Sequence, residues 1–324
     1  MRNKKIRLFV GPMSRQVVDL AIEYSNSTGN VLAVIPSRRQ IENTGGYVNN
    51  WTTKSFSSYV KSNSDTVMLV RDHAGPGQGQ NSDDGLDSLA EDIACGFDVI
   101  HIDPWKKVAS IEEGITKTHE LIEYCCSISD NVKFEIGTEE AIFSYSSDDL
   151  DKIIMSLKKS LGKKFNRIEY AVIQSGVQIS GTENIGNFDP RRLTKMVNVV
   201  KKHGLLSKEH NGDYLTFYQI QHRASLGLDS INIAPEFGVA QTRILLKSGL
   251  VPFEDAIQAC REVNKFSKWI PDPVKDNPPE RLIVEVSGHY CFAREPFASS
   301  VEKVREKLSS YLFSRFDEIH RAWE

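Results

Sequence analysis

The chain has 324 residues, of which 40% are hydrophobic and 26% charged, with a formal net charge of -3. That size buries the core of one barrel or two ordinary domains, and the near-neutral charge leaves no footprint for nucleic acid or an anionic membrane surface. No apolar run approaches the ~20 residues that span a bilayer, the basic, briefly apolar start MRNKKIRLFVGP lacks a signal-peptide core, and Cys95, Cys125, Cys126, Cys260 and Cys291 show no regular spacing, which points to reduced thiols in a cytoplasmic protein.

Lys5 to Val10 reads as a first strand. Ser14 to Tyr24 follows as a helix with Ser14 as N-cap and Val17, Val18, Ala21 and Ile22 on one face. Val31 to Ile35 is a second strand, closed by a polar loop that holds Arg38, Arg39 and the run Gly45-Gly46-Tyr47. Thr52 to Val60 reads as a helix. Val67 to Val70 is an unbroken apolar run, as expected of a strand buried on both faces. It ends in Arg71, Asp72 and His73 and then a glycine-rich loop. The same rhythm recurs four more times: helix Ser82–Cys95 and strand Asp98–Asp103, helix Ile111–Cys126 and strand Val132–Glu140, helix Leu150–Leu161 and strand Ile168–Ile173, helix Pro190–His203 and strand Leu205–Glu209. Helix Leu215–Leu226, strand Ser230–Ile233 and helix Val239–Leu246 complete the series.

Eight strand–helix units in this length, without a glycine-rich dinucleotide fingerprint, predict a (β/α)8 barrel rather than an open sheet. Residues 1–250 form the expected barrel. Residues 251–324, with Pro271, Pro273, Pro278 and Pro279 and an amphipathic run from Val301 to Trp323, form an expected helical extension packed on it.

The unusual polar residues fall at strand ends, which a barrel gathers at one mouth. They are Arg38 and Arg39, Asp72 and His73, Asp103, Glu139 and Glu140, Gln174 and Ser175, His210 and Asp213, and Asn232. Two histidines and a carboxylate from separate strands suit a divalent metal. His73, His210 and Glu139 are the best set by residue type, and Asp72, beside His73, can move a proton or orient a neighbour. His101 lies inside a strand and reads as a buried hydrogen-bonded residue rather than a ligand. His119, His203, His222 and His320 fall on helices and read as solvated, whereas His289 could reach the mouth from the tail. Arg38 and Arg39 suit a phosphate or carboxylate. Gly45 and Gly46 allow close approach of a ligand, which Tyr47 could stack on or hydrogen-bond.

The ordered motifs GGY (45–47), RDHAGPG (71–77), GFDVIHID (96–103), EIGTEE (135–140), VIQSGV (172–177) and EHNGDY (209–214), with the strand before Ala234-Pro235, resemble the GatZ/KbaZ family. These are the so-called non-catalytic subunits of class II tagatose-bisphosphate aldolase, related to metal-dependent ketose 4-epimerases and class II aldolases. The resemblance covers most of residues 30–240. It implies a proton-transfer role for Asp72 and metal ligation by His73 and His210, with zinc the expected ion and manganese, cobalt or nickel the alternatives. Arg38 and Arg39 stand where that family usually has a Ser-Asn pair, and Arg71 replaces a glycine. The expected activity is C4 epimerisation of a ketose phosphate or similar anionic keto-sugar by retro-aldol and aldol steps; the variant is proton-transfer epimerisation at a carbon next to the carbonyl, with Asp103 or Glu139 as the second base. Gln174, Ser175, Asp213 and Asn232 join Arg38, Arg39, Gly45, Gly46 and Tyr47 as expected substrate contacts. The rival expectation is a stabilising subunit for a partner aldolase; a homo-oligomer is also open.

Overall fold

The computed structural model describes residues 5–324; the first four residues, part of the basic start, lie outside the described residues. The elements run β1 (Leu8–Val10), α1 (Arg15–Thr28), β2 (Ala33–Val34), α2 (Thr53–Asn63), β3 (Met68–Ala74), α3 (Leu86–Ala94), β4 (Val99–Ile102), α4 (Ile111–Ile128) and β5 (Lys133–Ile136). They continue with α5 (Ser147–Leu161), β6 (Ile168–Ile173), a small hairpin β7 (Ile179–Ser180) and β8 (Glu183–Asn184), α6 (Pro190–Lys202), β9 (Leu206–Glu209), α7 (Phe217–Ser225), β10 (Ser230–Ile233) and α8 (Pro235–Ser248). Three further helices follow: α9 (Phe253–Val263), α10 (Glu280–Ser287) and α11 (Arg305–Arg321).

The eight long-range strands form a closed parallel barrel in the order β1-β10-β9-β6-β5-β4-β3-β2. Closure comes from β10 pairing with β1, Leu8 opposite Ile231 and Val10 opposite Ile233. The expected (β/α)8 architecture is therefore present, with C-terminal helices. Local sequence chemistry starts and stops the helices. Ser14 accepts from the Val17 amide, Thr52 with Ser55 and Ser146 with Asp149 form capping boxes, and Pro190 opens α6 behind the Asp189 cap. Gly29 and Gly249 end α1 and α8 in the left-handed conformation.

Two apolar layers surround the strands. The outer core packs outward-facing residues such as Leu8, Val10, Ile100, Ile231 and Ile233 against the helices. The inner one fills the barrel with Ile6, Phe9, Ala33, Ile35, Val70, Val99 and Tyr170. Phe9 and Tyr170 meet edge to face at 5.4 Å. Above this plug the interior positions turn polar: His101, Glu135, Lys208, His210 and Asn232 are all buried. No helix among the described residues is long and apolar enough to cross a membrane.

Several boundaries differ from expectation for identifiable reasons. The third strand does not end at Val70 but runs on through Arg71, Asp72 and His73 to Ala74. Arg71 keeps its pairing with Ile100 and turns its side chain outward, fully buried, onto Asp92. Helix α3 begins at Leu86 rather than Ser82, because Asp83 is drawn into an ion pair with Arg38 and Gly85 takes a positive φ of 79°. Helix α8 begins at Pro235, a residue preorganised for the first helical position.

Candidate functional site

Asp72 and His73 are adjacent, and adjacent strand residues ordinarily face opposite sides of a sheet. The register between β3 and β4 shifts between Arg71 and Ala74, and His73 takes a φ of 46°. This bulge allows consecutive side chains to enter the same mouth. Positive φ in a non-glycine residue is uncommon and costs strain, which the surrounding contacts hold in place.

Three imidazoles converge around the Asp72 carboxylate. Their ring centres are 5.0 Å (His73–His101), 5.4 Å (His73–His210) and 5.0 Å (His101–His210) apart. Each ring gives one N–H to a fixed acceptor. His73 Nδ1 donates to Asp103 Oδ2 at 2.6 Å, His101 Nε2 to the Gly137 carbonyl at 2.9 Å, and His210 Nε2 to Glu135 Oε1 at 2.8 Å. The remaining nitrogens face Asp72 Oδ1: His73 Nε2 at 3.7 Å, His101 Nδ1 at 3.6 Å and His210 Nδ1 at 3.8 Å. His101 Nδ1 also accepts a long bond of 3.3 Å from the His73 amide, as an unprotonated nitrogen can. Asp72 Oδ1 itself is buried without a hydrogen-bond partner.

One ligand atom from each of Asp72, His73, His101 and His210 lies within 4.8 Å of all the others. Donors held at ~2.0–2.1 Å around a tetrahedral ion stand roughly 3.4 Å apart, so small adjustments suffice. The donor set, nitrogen-rich with one carboxylate, suits zinc-type chemistry, and each imidazole carries the outer hydrogen bond that orients metal ligands. The residues present fit a divalent ion.

Electrostatics favour a cation here. Burial alone would raise the Asp72 carboxyl, but His73, His210 and His101 hold it far below the usual carboxylate range. Burial opposes charge on His73, yet Asp72, Asp103 and Glu139 lift its imidazole to about 10. His101 is raised against its own burial by Glu135, Asp72 and Asp103, whereas burial wins at His210 and lowers it. A centre that pulls a proton onto a buried histidine is one that stabilises positive charge.

The expected site residues divide into those gathered here and those spent elsewhere. Asp103 is fully buried; Oδ2 takes His73, Gln78 and Thr138, and Oδ1 takes the Trp105 amide. Its contact with Nδ1 fixes the His73 ring. Glu139 lies 3.9 Å from His73 Nε2, outside the four-residue group, and accepts from the Asn211 amide group. The four-residue group thus contains Asp72 and His101 and not Glu139.

Arg38 is buried, its three guanidinium nitrogens bonded to Glu42, Asp83 and the Gly75 carbonyl. Gln174 is saturated by Thr138, Phe143, Tyr145 and Arg192. Ser175 donates to Glu209, which Arg223 holds from the other side. Asp213 Oδ1 caps α8 through the Ala234 and Glu236 amides at 3.0 and 2.8 Å. Gly46 is required by its own loop, since a Cβ there would lie 2.0 Å from the Gln40 carbonyl oxygen, and Gly45 sits at φ 98°. These contacts give Arg38, Gln174, Ser175 and Asp213 partners within the protein. Arg39 is exposed beside the Gly79 carbonyl, and Asn232 Oδ1 is buried without a partner. Tyr47 packs at 4.6 Å on Tyr290 and 5.9 Å from His289, so the C-terminal segment does reach this loop. Two helix histidines expected in solvent are engaged instead: His203 contacts Asp151 at 2.6 Å, and His320 donates to the Phe316 carbonyl at 2.8 Å.

With the barrel and its mouth defined, the comparisons with known proteins follow. No protein-family model matches the sequence, and no curated protein matches it. Solved structures do share the fold. The crystal structure of a probable tagatose 6 phosphate kinase from Sinorhizobium meliloti 1021 superposes with a TM-score of 0.77 at 16% identity, covering 94% of this chain and 87% of that one. Fructose-bisphosphate aldolase from Campylobacter jejuni gives 0.61 at 14% identity, with 98% and 90% covered. The YdjI aldolase from Escherichia coli K12 gives 0.57 at 13%, with 94% and 91% covered. At these identities the likeness establishes the barrel and its C-terminal helices.

Three residues of the polar interior were not among the expected site residues: His101, Glu135 and Lys208. For His101 and Glu135 the mark is a polar residue between apolar neighbours in a strand, as in VIHI and KFEI, whereas Lys208 lies in the largely polar LSKE. In a closed barrel such a residue points inward at alternate positions.

Proposed function

We propose that the chain is a metal-dependent, aldolase-type enzyme acting on a ketose phosphate or a similar anionic keto-sugar, with C4 epimerisation through retro-aldol and aldol steps as its reaction. The reading rests on one observation above all: a buried Asp72 oxygen without a partner, ringed by three imidazole nitrogens whose rings are oriented by their outer bonds. His73, His101 and His210 would hold a divalent ion, zinc by donor type, and its charge would stabilise the negative charge that develops on a substrate carbonyl oxygen.

Asp72 would accept the C4 hydroxyl proton as the C3–C4 bond breaks and return it after re-addition to the other carbonyl face. Asp103 keeps the His73 ring fixed through that exchange. Glu139, half-buried beside His73, is placed to hold a substrate hydroxyl. Arg39, exposed on the β2–α2 loop, offers a guanidinium to the anionic end of the sugar. The resemblance to the GatZ/KbaZ family and the sugar-phosphate names of the structural neighbours support this substrate class.

The test is the metal content of the purified chain beside His73→Ala, His101→Ala and His210→Ala, followed by assays of ketose phosphates for cleavage and C4 epimerisation. The expected result is about one divalent ion per chain, lost in each variant while circular dichroism shows the fold intact, and turnover that follows the metal. A wild-type chain that takes up no divalent ion when one is supplied would refute the reading.

A further inference from the structure

Beneath the histidine cluster lies a charged pair that the proposed chemistry does not use. Lys208 on β9 and Glu135 on β5 are both fully excluded from solvent, and Lys208 Nζ donates to Glu135 Oε2 at 2.6 Å. The ammonium also sits 3.8 Å from the centre of the Phe9 ring. Phe9 belongs to the apolar plug. Lys208 therefore stands at the boundary between that plug and the polar mouth.

Strand parity sets this stacking. Lys208 and His210 are two residues apart, so both point inward, with Lys208 lower. Its burial below the mouth denies it a substrate contact and a nucleophilic role. A buried ion pair is weak evidence for stability, since apolar residues of similar volume do as well or better. What else the pair touches is then informative. The second oxygen of Glu135, Oε1, is the acceptor for His210 Nε2–H at 2.8 Å.

We infer that Lys208 is a positioning residue for His210. Its ammonium pins Glu135 Oε2, the pinned carboxylate presents Oε1 to His210 Nε2–H, and that bond leaves Nδ1 unprotonated and facing Asp72 Oδ1 at 3.8 Å. The carboxylate–histidine pairing is a general device of metal sites. Here a third member, reaching up from the barrel core, fixes the carboxylate. Replacing Lys208 by methionine keeps the volume and the contact with Phe9 but frees Glu135 to turn, so the His210 ring is no longer held in one tautomer. Replacing Glu135 by glutamine as well removes the unpaired charge and restores a neutral acceptor for Nε2–H. The inference rests on the proposed metal centre for its purpose, but its first readout needs no metal.

That readout is the ¹⁵N spectrum of histidine-labelled, metal-free protein, with His210 assigned by His210→Asn. The wild type should show His210 as the Nε2–H tautomer. Lys208→Met should show a mixture or the Nδ1–H form, and Lys208→Met with Glu135→Gln should return to Nε2–H. Affinity for Zn²⁺, measured by chelator competition, should fall about 10–100-fold in Lys208→Met and recover in the double variant. An Nδ1–H tautomer in the wild type would overturn the inference even if Lys208→Met fails to fold. So would a Lys208→Met protein that loses thermal stability but keeps the wild-type tautomer and affinity. A wild type that shows the Nε2–H tautomer but binds no Zn²⁺ would defeat the metal reading alone and leave the positioning role supported.

Discussion

Replacing Arg71 by methionine tests how the loop carrying Arg39 and Tyr47 is held. The Arg71 side chain is fully buried and meets Asp92 in a two-pronged pair, Nε to Oδ2 at 2.8 Å and Nη2 to Oδ1 at 2.6 Å. Nη1 also donates to the carbonyls of Pro36 at 3.1 Å and Ile41 at 2.8 Å, both in the β2–α2 connection, and the guanidinium lies 5.0 Å from the Phe97 ring centre. Methionine keeps the packing against Phe97 but leaves Asp92 buried without a counter-ion, which costs about 3–5 kcal/mol. The Ile41 carbonyl loses its donor and the Pro36 carbonyl one of two, since the Asp72 amide still donates to it at 3.0 Å; at about 1 kcal/mol for the pair the total is about 4–6 kcal/mol. Against a typical stability of ~5–15 kcal/mol this is a large loss.

Asp92, already raised by burial in spite of Arg71, would take up a proton in the variant. The folded state then binds more protons than the unfolded one, so the deficit grows as pH rises. Arg71→Met with Asp92→Leu removes both charges and should bring the deficit down to about 1 kcal/mol, the Ile41 carbonyl being what chiefly remains. Urea unfolding of wild type, single and double variants measures all three. A single variant within about 1 kcal/mol of wild type, or a double variant no better than the single, would refute the reasoning.

Three further outcomes are expected. Burial and the nearby Glu236 push the Asp213 carboxyl up to about 8, so the folded state holds a proton that the unfolded chain releases near pH ~4 and stability falls as pH rises between the two; Asp213→Asn keeps the cap on α8, lacks that slope, and should gain on wild type from pH 5 to pH 8 by up to about 1.4 kcal/mol per unit, whereas parallel unfolding profiles would contradict this. Gly46→Ala would drive a Cβ to 2.0 Å from the Gln40 carbonyl oxygen, so the backbone must move, and a thermal midpoint unchanged from wild type would show that the loop yields freely. Asp72→Asn should lower turnover by at least about 10²-fold with the circular dichroism spectrum unchanged, and near-normal turnover would remove Asp72 from the proton-transfer role.

The rhythm of eight strand–helix units made the barrel legible, because buried parallel strands advertise themselves as short apolar runs between helical periods. The bulge at Asp72–His73 was not legible. Nothing in the RDHA string distinguishes two residues facing one mouth from two facing opposite sides, and only the pairing with β4 reveals the shift. Polar strand ends were visible as a set, but their partners lie far along the chain. Gln174 is committed by Arg192 and Tyr145, and Arg38 by Asp83, through contacts that no local pattern encodes. His101 and Glu135 were masked for a related reason. A lone polar residue inside an apolar run reads as a tolerated defect until the closed ring shows several of them on one inner level.

The pairing of β10 with β1 has a kinetic consequence. Residues Leu8 and Ile231, at opposite ends of the barrel sequence, must meet before the ring closes, and such non-local pairing is slow to form. Until it closes, Phe9 has not sealed the floor on which Lys208 and Glu135 rest. The polar mouth is thus a late product of folding, and the proposed cation would bind only chains that have completed the seam. Mutations along that seam, far from any histidine, should then appear as a reduced fraction of competent molecules, each working at the full rate.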